Sequence, residues 1–188
     1  AGPNRRAGVE LGDGGERLHA WAFDEKDAVG REVLSRDVSE TGAILGGRRP
    51  YDDSLQYWGA NGPTGAARTP VIVLTHSPPS DAPENGVYTF VSSGIHDALA
   101  KARAAAGGKG VALMAGPNVA NQYLRAGPVD EVWIHLVPVL FGDGLRFTEV
   151  VPAPIELQLI EQNRATGAVY LRYSVANKRR SADRKMGS

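Results

Sequence analysis

Two hydrophobic rhythms alternate along the chain. Val71-Ile-Val-Leu74 is an unbroken, largely β-branched run, the pattern of a strand buried on both faces. Gly42–Gly46, Tyr88–Val91 and Val111–Met114 are short apolar runs of the same kind. Between them the spacing changes to threes and fours. Leu18, Trp21 and Ala22 predict a short amphipathic helix over Glu16–Phe23. Ala28, Val29, Val33 and Leu34 predict a second over Glu25–Val38, weakened at Gly30. Further helices are expected at Ile95–Ala106 and Asn118–Arg125. Residues 52–69, polar and interrupted by Gly59, Gly62, Pro63 and Gly65, read as a long surface excursion around Trp58, and 77–87 reads as loop. Strands are expected at Glu131–Leu140, Ile155–Asn163 and Ala168–Val175, the last two joined as a hairpin through Arg164-Ala-Thr-Gly167. Strands that alternate with helices and then close in a hairpin predict an α/β sheet, parallel at first and antiparallel at the end.

Composition narrows the function classes. The 188 residues carry 21 Lys plus Arg against 21 Asp plus Glu, so no net field points to nucleic acid or to a membrane surface. The chain has no Cys, which excludes disulfides, thiolate metal sites and cysteine nucleophiles. No apolar run approaches the ~18 residues that span a bilayer, and no secretory leader opens the chain, so a cytoplasmic protein is expected. One domain is expected over 1–176. The basic stretch 177–188 has no apolar period and reads as a disordered or artificial tail.

The most telling stretch runs from Gly110 to Gly144: buried strand, glycine turn, helix, short loop, second buried strand and another glycine turn. A glycine at a strand-to-helix junction admits a ligand close to the backbone, and the helix start offers unpaired N–H groups and a positive dipole end. A diphosphate-bearing cofactor suits such a corner. The G-x-G-x-x-G fingerprint of a standard Rossmann unit is absent.

Four motifs together resemble the dihydrofolate-reductase-like superfamily: Gly12–Trp21, Gly42–Arg49, Pro70–His76 and Val111–Gly144. They look closest to its bacterial branch, which shares a domain with the C-terminal reductase of riboflavin biosynthesis (the RibD type). The resemblance covers about Ala1 to Tyr173. It implies a three-layer α/β/α fold with a mixed, mostly parallel sheet and an antiparallel C-terminal hairpin. It also implies an NADPH-dependent reductase, commonly dimeric, acting on a small molecule such as a ribosylamino-pyrimidine or a pterin-like ring. Members of this branch usually begin with a hydrophobic strand, central in the sheet, ahead of an Ala-Gly-Pro-Asn-type loop. This sequence opens at Ala1-Gly-Pro-Asn4, so that strand is expected to belong to residues preceding Ala1.

The resemblance places cofactor contacts at Gly47, Arg48 and Arg49, at Thr75, His76 and Ser77, at Ser93 and Gly94, and at Ala115, Gly116, Pro117, Asn118 and Val119. Read without it, Arg48 and Arg49 are a surface pair and Ser93 and Gly94 a helix cap. A guanidinium can grip a phosphate bidentately, and His76 can pair with a 2′-phosphate. Where the family shows two or three consecutive glycines, this chain keeps only Gly116. Ala115 adds a methyl group, and Pro117 removes one N–H donor while fitting the first helical turn. Catalytic groups are thin: Asp13 is either a turn residue or near the nicotinamide, and Glu16 is either a first-turn acid or a match for the superfamily's substrate-holding carboxylate. Trp21 and Trp58 are candidates to line an aromatic substrate slot, core packing being the other role for Trp21. His135 falls in a buried strand pattern and reads as structural. No metal cluster is evident, and hydride transfer requires none. A cofactor-poor dimeric binding or structural protein of the same fold is the alternative.

Overall fold

The computed structural model describes residues 4, 6, 9, 11–148 and 153–176, so the basic tail at 177–188 lies outside the described residues. Two compact units emerge, Ser35–Gln122 and Ala1–Leu34 with Tyr123–Ser188.

In the first unit, β1 (Thr41–Gly47), β2 (Val71–Leu74), β3 (Tyr88–Val91) and β4 (Gly110–Leu113) form a parallel sheet in the order β3-β2-β1-β4. Helix α1 (Ala28–Glu40) leads into β1, α2 (Arg48–Trp58) follows it, and α3 (Ile95–Ala105) precedes β4. Ile44, Val71 and Val73 share one face by register and pack with Tyr51 and Leu55 of α2. Ala43, Leu45 and Ile72 alternate to the other face and are equally buried, while α3, with Ala98 and Ala102 buried, also packs on β1 and β2. Burial on both faces explains the unbroken apolar run of β2.

Helix α2 corrects the reading of 52–69 as surface excursion. It runs to Trp58, and only short 3₁₀ turns at Gly59–Asn61 and Gly65–Ala67 interrupt the loop beyond. Its apolar stripe is narrow: Tyr51, Leu55 and Trp58 at spacings of four and three.

In the second unit, β5 (Glu131–Leu136), β7 (Val169–Val175) and β6 (Leu157–Arg164) form an antiparallel sheet in that order. Helix α4 (Pro117–Ala126), whose residues up to Gln122 belong to the first unit, precedes β5. Strand β5 stops at Leu136, short of Leu140, because Pro138 cannot donate to a ladder. The chain bends there, with Val139 N donating to the Val137 carbonyl at 2.8 Å. The helix expected at Glu16–Phe23 is two 3₁₀ turns, Gly15–Leu18 and Ala20–Phe23. Val33, Ala168 and Tyr170 form this unit's core, with Trp21 packed against it. The expected order, parallel then antiparallel, is the order found. No strand among the described residues takes the place of the family's first strand, and β4 and β5 each form an edge of their sheet. No helix among the described residues is long and apolar enough to cross a membrane.

Candidate active site

In the first unit, β2 and β3 continue to one side of β1 while β4 lies on its other side. Chain direction therefore diverges between β1 and β4, and the crevice at the carboxyl ends of such a pair is where ligands of open α/β sheets bind. Two helices start at that point. Gly46 and Gly47 close β1, both buried, and Gly47 passes directly into α2 in an extended conformation with no side-chain cap. Met114, Ala115 and Gly116 lead from β4 into α4, whose first residue is Pro117. The two junctions touch: a Cβ on Gly47 would lie 3.1 Å from Val119 Cγ2, and one on Gly46 would lie 3.3 Å from the Met114 carbonyl. Glycine at these positions keeps the gap between the helix starts open. Uncapped first-turn N–H groups of α2 and the positive dipole ends of both helices make it an anion site in chemistry.

Neighbouring side chains divide into committed and available groups. Arg48 Nε donates to both oxygens of Asp52, at 2.7 and 2.9 Å, and Nη1 donates to the Ser77 carbonyl at 2.7 Å. Thr75 Oγ1 donates to that same carbonyl at 2.8 Å and accepts from Ser77 N at 3.2 Å. These bonds lock the turn after β2 and tie it to α2. Arg49 and His76 are exposed. Gly94, at φ +101°, precedes α3, while Ser93 bonds the Asp97 carboxylate in that helix's first turn. Ser93 and then Lys101 hold the Asp97 carboxyl below the usual carboxylate range. A negative charge already at the α3 start serves the cap and opposes a phosphate there.

The second unit holds a buried acid niche. Asp27 accepts from Gly30 N at 3.0 Å through Oδ1, an N-cap bond for α1. Its Oδ2 is buried without a hydrogen-bond partner, as is Tyr170 Oη. Both border the space above Gly30, where a Cβ would lie 2.8 Å from Tyr170 Oη and 3.1 Å from Asp27 Oδ2. Trp21 meets His135 edge-on at 4.5 Å and Tyr170 at 5.2 Å, and Trp21 Nε1 donates to the Leu18 carbonyl at 2.9 Å. Burial, and then the Asp27 charge, pushes the Tyr170 hydroxyl up; burial pushes His135 down from the usual imidazole value. The unpartnered oxygens cost about 1–3 kcal/mol each until a donor reaches them.

The remaining candidates have plainer settings. Asp13 is exposed and held by Asn4 Nδ2 at 2.9 Å and Arg6 Nη1 at 3.1 Å, the Asn4 bond foremost in lowering its carboxyl pKa. Glu16 is exposed in the first 3₁₀ turn. Trp58 is half-buried at the end of α2, in a different unit from Trp21. Among the described residues, no group of three or more His, Asp or Glu could hold a metal ion. Sequence reasoning missed Asp27, Tyr170 and Asp52. For Asp27 a signal existed, since an Asp immediately before an apolar helical period is an N-cap pattern.

A four-stranded parallel sheet with glycines at its switch point, completed by an antiparallel sheet of three strands, is the dihydrofolate-reductase-like architecture. Within it, the model of the RibD C-terminal domain matches residues 16–170, and the chain belongs to that family. Solved structures agree in fold. The chain is similar to a protein from Shewanella sp. PV-4 assigned to riboflavin biosynthesis, at 18% identity and TM-score 0.67, covering 86% of this chain and 88% of that one. It is similar to a pyrimidine reductase-like protein from Corynebacterium diphtheriae, at 16% identity and TM-score 0.56, covering 94% and 88%. A third likeness is to a Thermotoga maritima diaminohydroxyphosphoribosylaminopyrimidine deaminase/5-amino-6-(5-phosphoribosylamino)uracil reductase, at 15% identity and TM-score 0.52. It covers 78% of this chain but only 48% of that one. No curated protein matches the sequence.

Proposed function

We propose that this chain is an NADPH-dependent reductase that transfers hydride to a small heterocycle, of the 5-amino-6-(5-phosphoribosylamino)uracil or pterin type. The observation that carries the reading is the pair of helix starts facing each other across Gly47 and Val119 at the β1–β4 switch point. In this reading the diphosphate is held by first-turn N–H groups of α2 and α4, around Gly47, Gly116, Asn118 and Val119. Arg49 and His76 take the 2′-phosphate. Arg48, Thr75 and Ser77 fix the turn that presents them. When bound, the nicotinamide supplies the hydride, and the protein supplies binding, orientation and exclusion of water. The reading includes a cytoplasmic homodimer.

Ala115 and Pro117 favour a second reading, a cofactor-poor binding or structural protein of this fold. The first adds a methyl group beside the turn, and the second removes an N–H at the α4 start. Titrating NADPH while following its fluorescence and that of the tryptophans separates the two. Saturation in the micromolar to millimolar range typical of enzyme ligands is expected. No saturation at millimolar NADPH would overturn the reductase reading.

A further inference from the structure

We infer that Asp52 is a specificity-determining residue at the adenosine end of the cofactor site: by holding Arg48 it keeps that guanidinium from a 2′-phosphate and narrows the preference for NADPH over NADH. On the proposed dinucleotide reading, on which this role rests, the two cofactors differ only at that 2′ position. A guanidinium grips a phosphate through two adjacent N–H donors. In Arg48, Nε is committed to the Asp52 carboxylate at 2.7 and 2.9 Å and Nη1 to the Ser77 carbonyl at 2.7 Å. Two of its three nitrogens therefore already have acceptors. The side chains of Arg48 and Asp52 are 37% and 47% exposed, so the pair lies within reach of a ligand and is not sealed in the core.

Helix stability does not explain the pair. Arg48 is the first residue of α2, where a cation opposes the helix dipole. The favourable order for an i,i+4 pair sets the acid before the base, and here the base comes first. Exposed pairs add little to stability in any case. What the pair does change is the charge that a cofactor meets beside Gly47. Arg48 alone would be a phosphate-binding cation at a helix start. Bonded to Asp52 it is half of a neutral dipole, with a carboxylate one turn further along the helix.

Tyr51 reports on the same corner. Its ring meets Tyr88 and Phe90 edge-on, and its hydroxyl is buried without a hydrogen-bond partner. Burial foremost raises the hydroxyl pKa; Asp81 and Asp52 raise it further, and Arg48 lowers it by less than either acid raises it. The field there is acidic despite the arginine. In dinucleotide-binding folds, a carboxylate near the ribose takes a 2′-hydroxyl and an arginine takes a 2′-phosphate. This chain has both residues and bonds them to each other. Arg49 and His76, both exposed, keep a preference for NADPH, to which Arg48 adds nothing while Asp52 holds it.

Calorimetric titration of the full chain with NADPH, NADH, adenosine 2′,5′-bisphosphate and AMP tests this role. Asp52→Asn removes the charge at nearly unchanged shape and leaves the Arg48 bond to the Ser77 carbonyl in place. It should strengthen NADPH and the bisphosphate about five- to tenfold. NADH and AMP should stay within about twofold. Asp52→Glu keeps the charge and should keep the wild-type ratio of the two dinucleotides. Adding Arg48→Ala to Asp52→Asn should abolish the gain, because Asp52 acts through that guanidinium. If Asp52→Asn fails to fold, Asp52→Ser removes the same charge and carries the same expectation. Equal factors for NADPH and NADH in the uncharged variant, or a gain that persists without Arg48, would overturn the role of Asp52 and leave the dinucleotide reading standing. A wild-type chain that binds neither dinucleotide at millimolar concentration would overturn both.

Discussion

At Gly30 two local rules oppose each other. Glycine inside a helix is about 0.5–1 kcal/mol worse than alanine, so Gly30→Ala would ordinarily strengthen α1. Here the new Cβ would stand 2.8 Å from Tyr170 Oη and 3.1 Å from Asp27 Oδ2, both in a buried niche. Overpacking of that kind costs about 1–3 kcal/mol, which outweighs the propensity gain. Gly30→Ala is expected to lower the unfolding free energy read from urea titration by a net ~1–2 kcal/mol. Tyr170→Phe removes the nearer obstacle, so the same change in that background should be close to neutral. A double-mutant cycle measures the coupling, and additive effects would mean that the hydroxyl does not shape the niche. His135 offers a pH test in the same niche. Burial holds its pKa below the ordinary 6.5. Between those two values the unfolded chain binds a proton that the folded one does not, so stability is full above about pH 6.5 and falls as pH drops toward the folded pKa. Thermal unfolding of the wild type should therefore weaken through the range just below pH 6.5 more than that of His135→Phe. Parallel curves would remove His135 from the account.

Elements were legible in proportion to how strongly burial wrote their period. Strand β2 has both faces covered, and Val71–Leu74 could be read to the residue. The start of α3 at Ile95 and the hairpin of β6 and β7 were similarly plain, since a glycine or a turn marked the boundary. Helix α2 was hidden because it shows the core only Tyr51 and Leu55, and Asp52, Asp53, Ser54 and Gln56 dilute the pattern. The same helix carries the part of the candidate site that sequence could not apportion. Motif reading treated Arg48 and Arg49 alike, yet successive helical residues point in different directions. The i,i+4 position puts Asp52 beneath Arg48, at 2.7 Å, while Arg49 is exposed. Asp27 was obscured by a boundary. A helix begun at Glu25 places Asp27 inside it, whereas a start at Ala28 makes Asp27 the cap, with one oxygen bonded to Gly30 N and the other left over. The Asp27–Tyr170 pairing joins positions far apart in sequence, and no local pattern could announce it.

For the molecule as a whole, the difference between the two arginines becomes a linkage experiment. A ligand that binds only the folded state raises its stability by RT ln(1 + [L]/Kd), about 2.7 kcal/mol at a hundredfold excess over Kd. The thermal shift produced by NADPH or NADH therefore reports affinity through the entire fold. Arg48 is bonded to Asp52 and to the Ser77 carbonyl. Arg48→Ala should then lower the stability of the unliganded protein, by about 1 kcal/mol for a partly exposed pair. It should also reduce both dinucleotide shifts in similar proportion, because the turn between Thr75 and Ser77 loses its tie to α2. Arg49→Ala removes an exposed side chain and should leave the unliganded midpoint nearly unchanged. Its effect should fall on NADPH, whose 2′-phosphate NADH lacks. Loss of one charge-assisted contact of about 1.5–3 kcal/mol corresponds to roughly ten- to hundredfold weaker binding. Equal losses of the two shifts in Arg49→Ala would move the 2′-phosphate to another group, with His76 next in place. A selective loss in Arg48→Ala instead would mean that the guanidinium leaves Asp52 when the cofactor arrives.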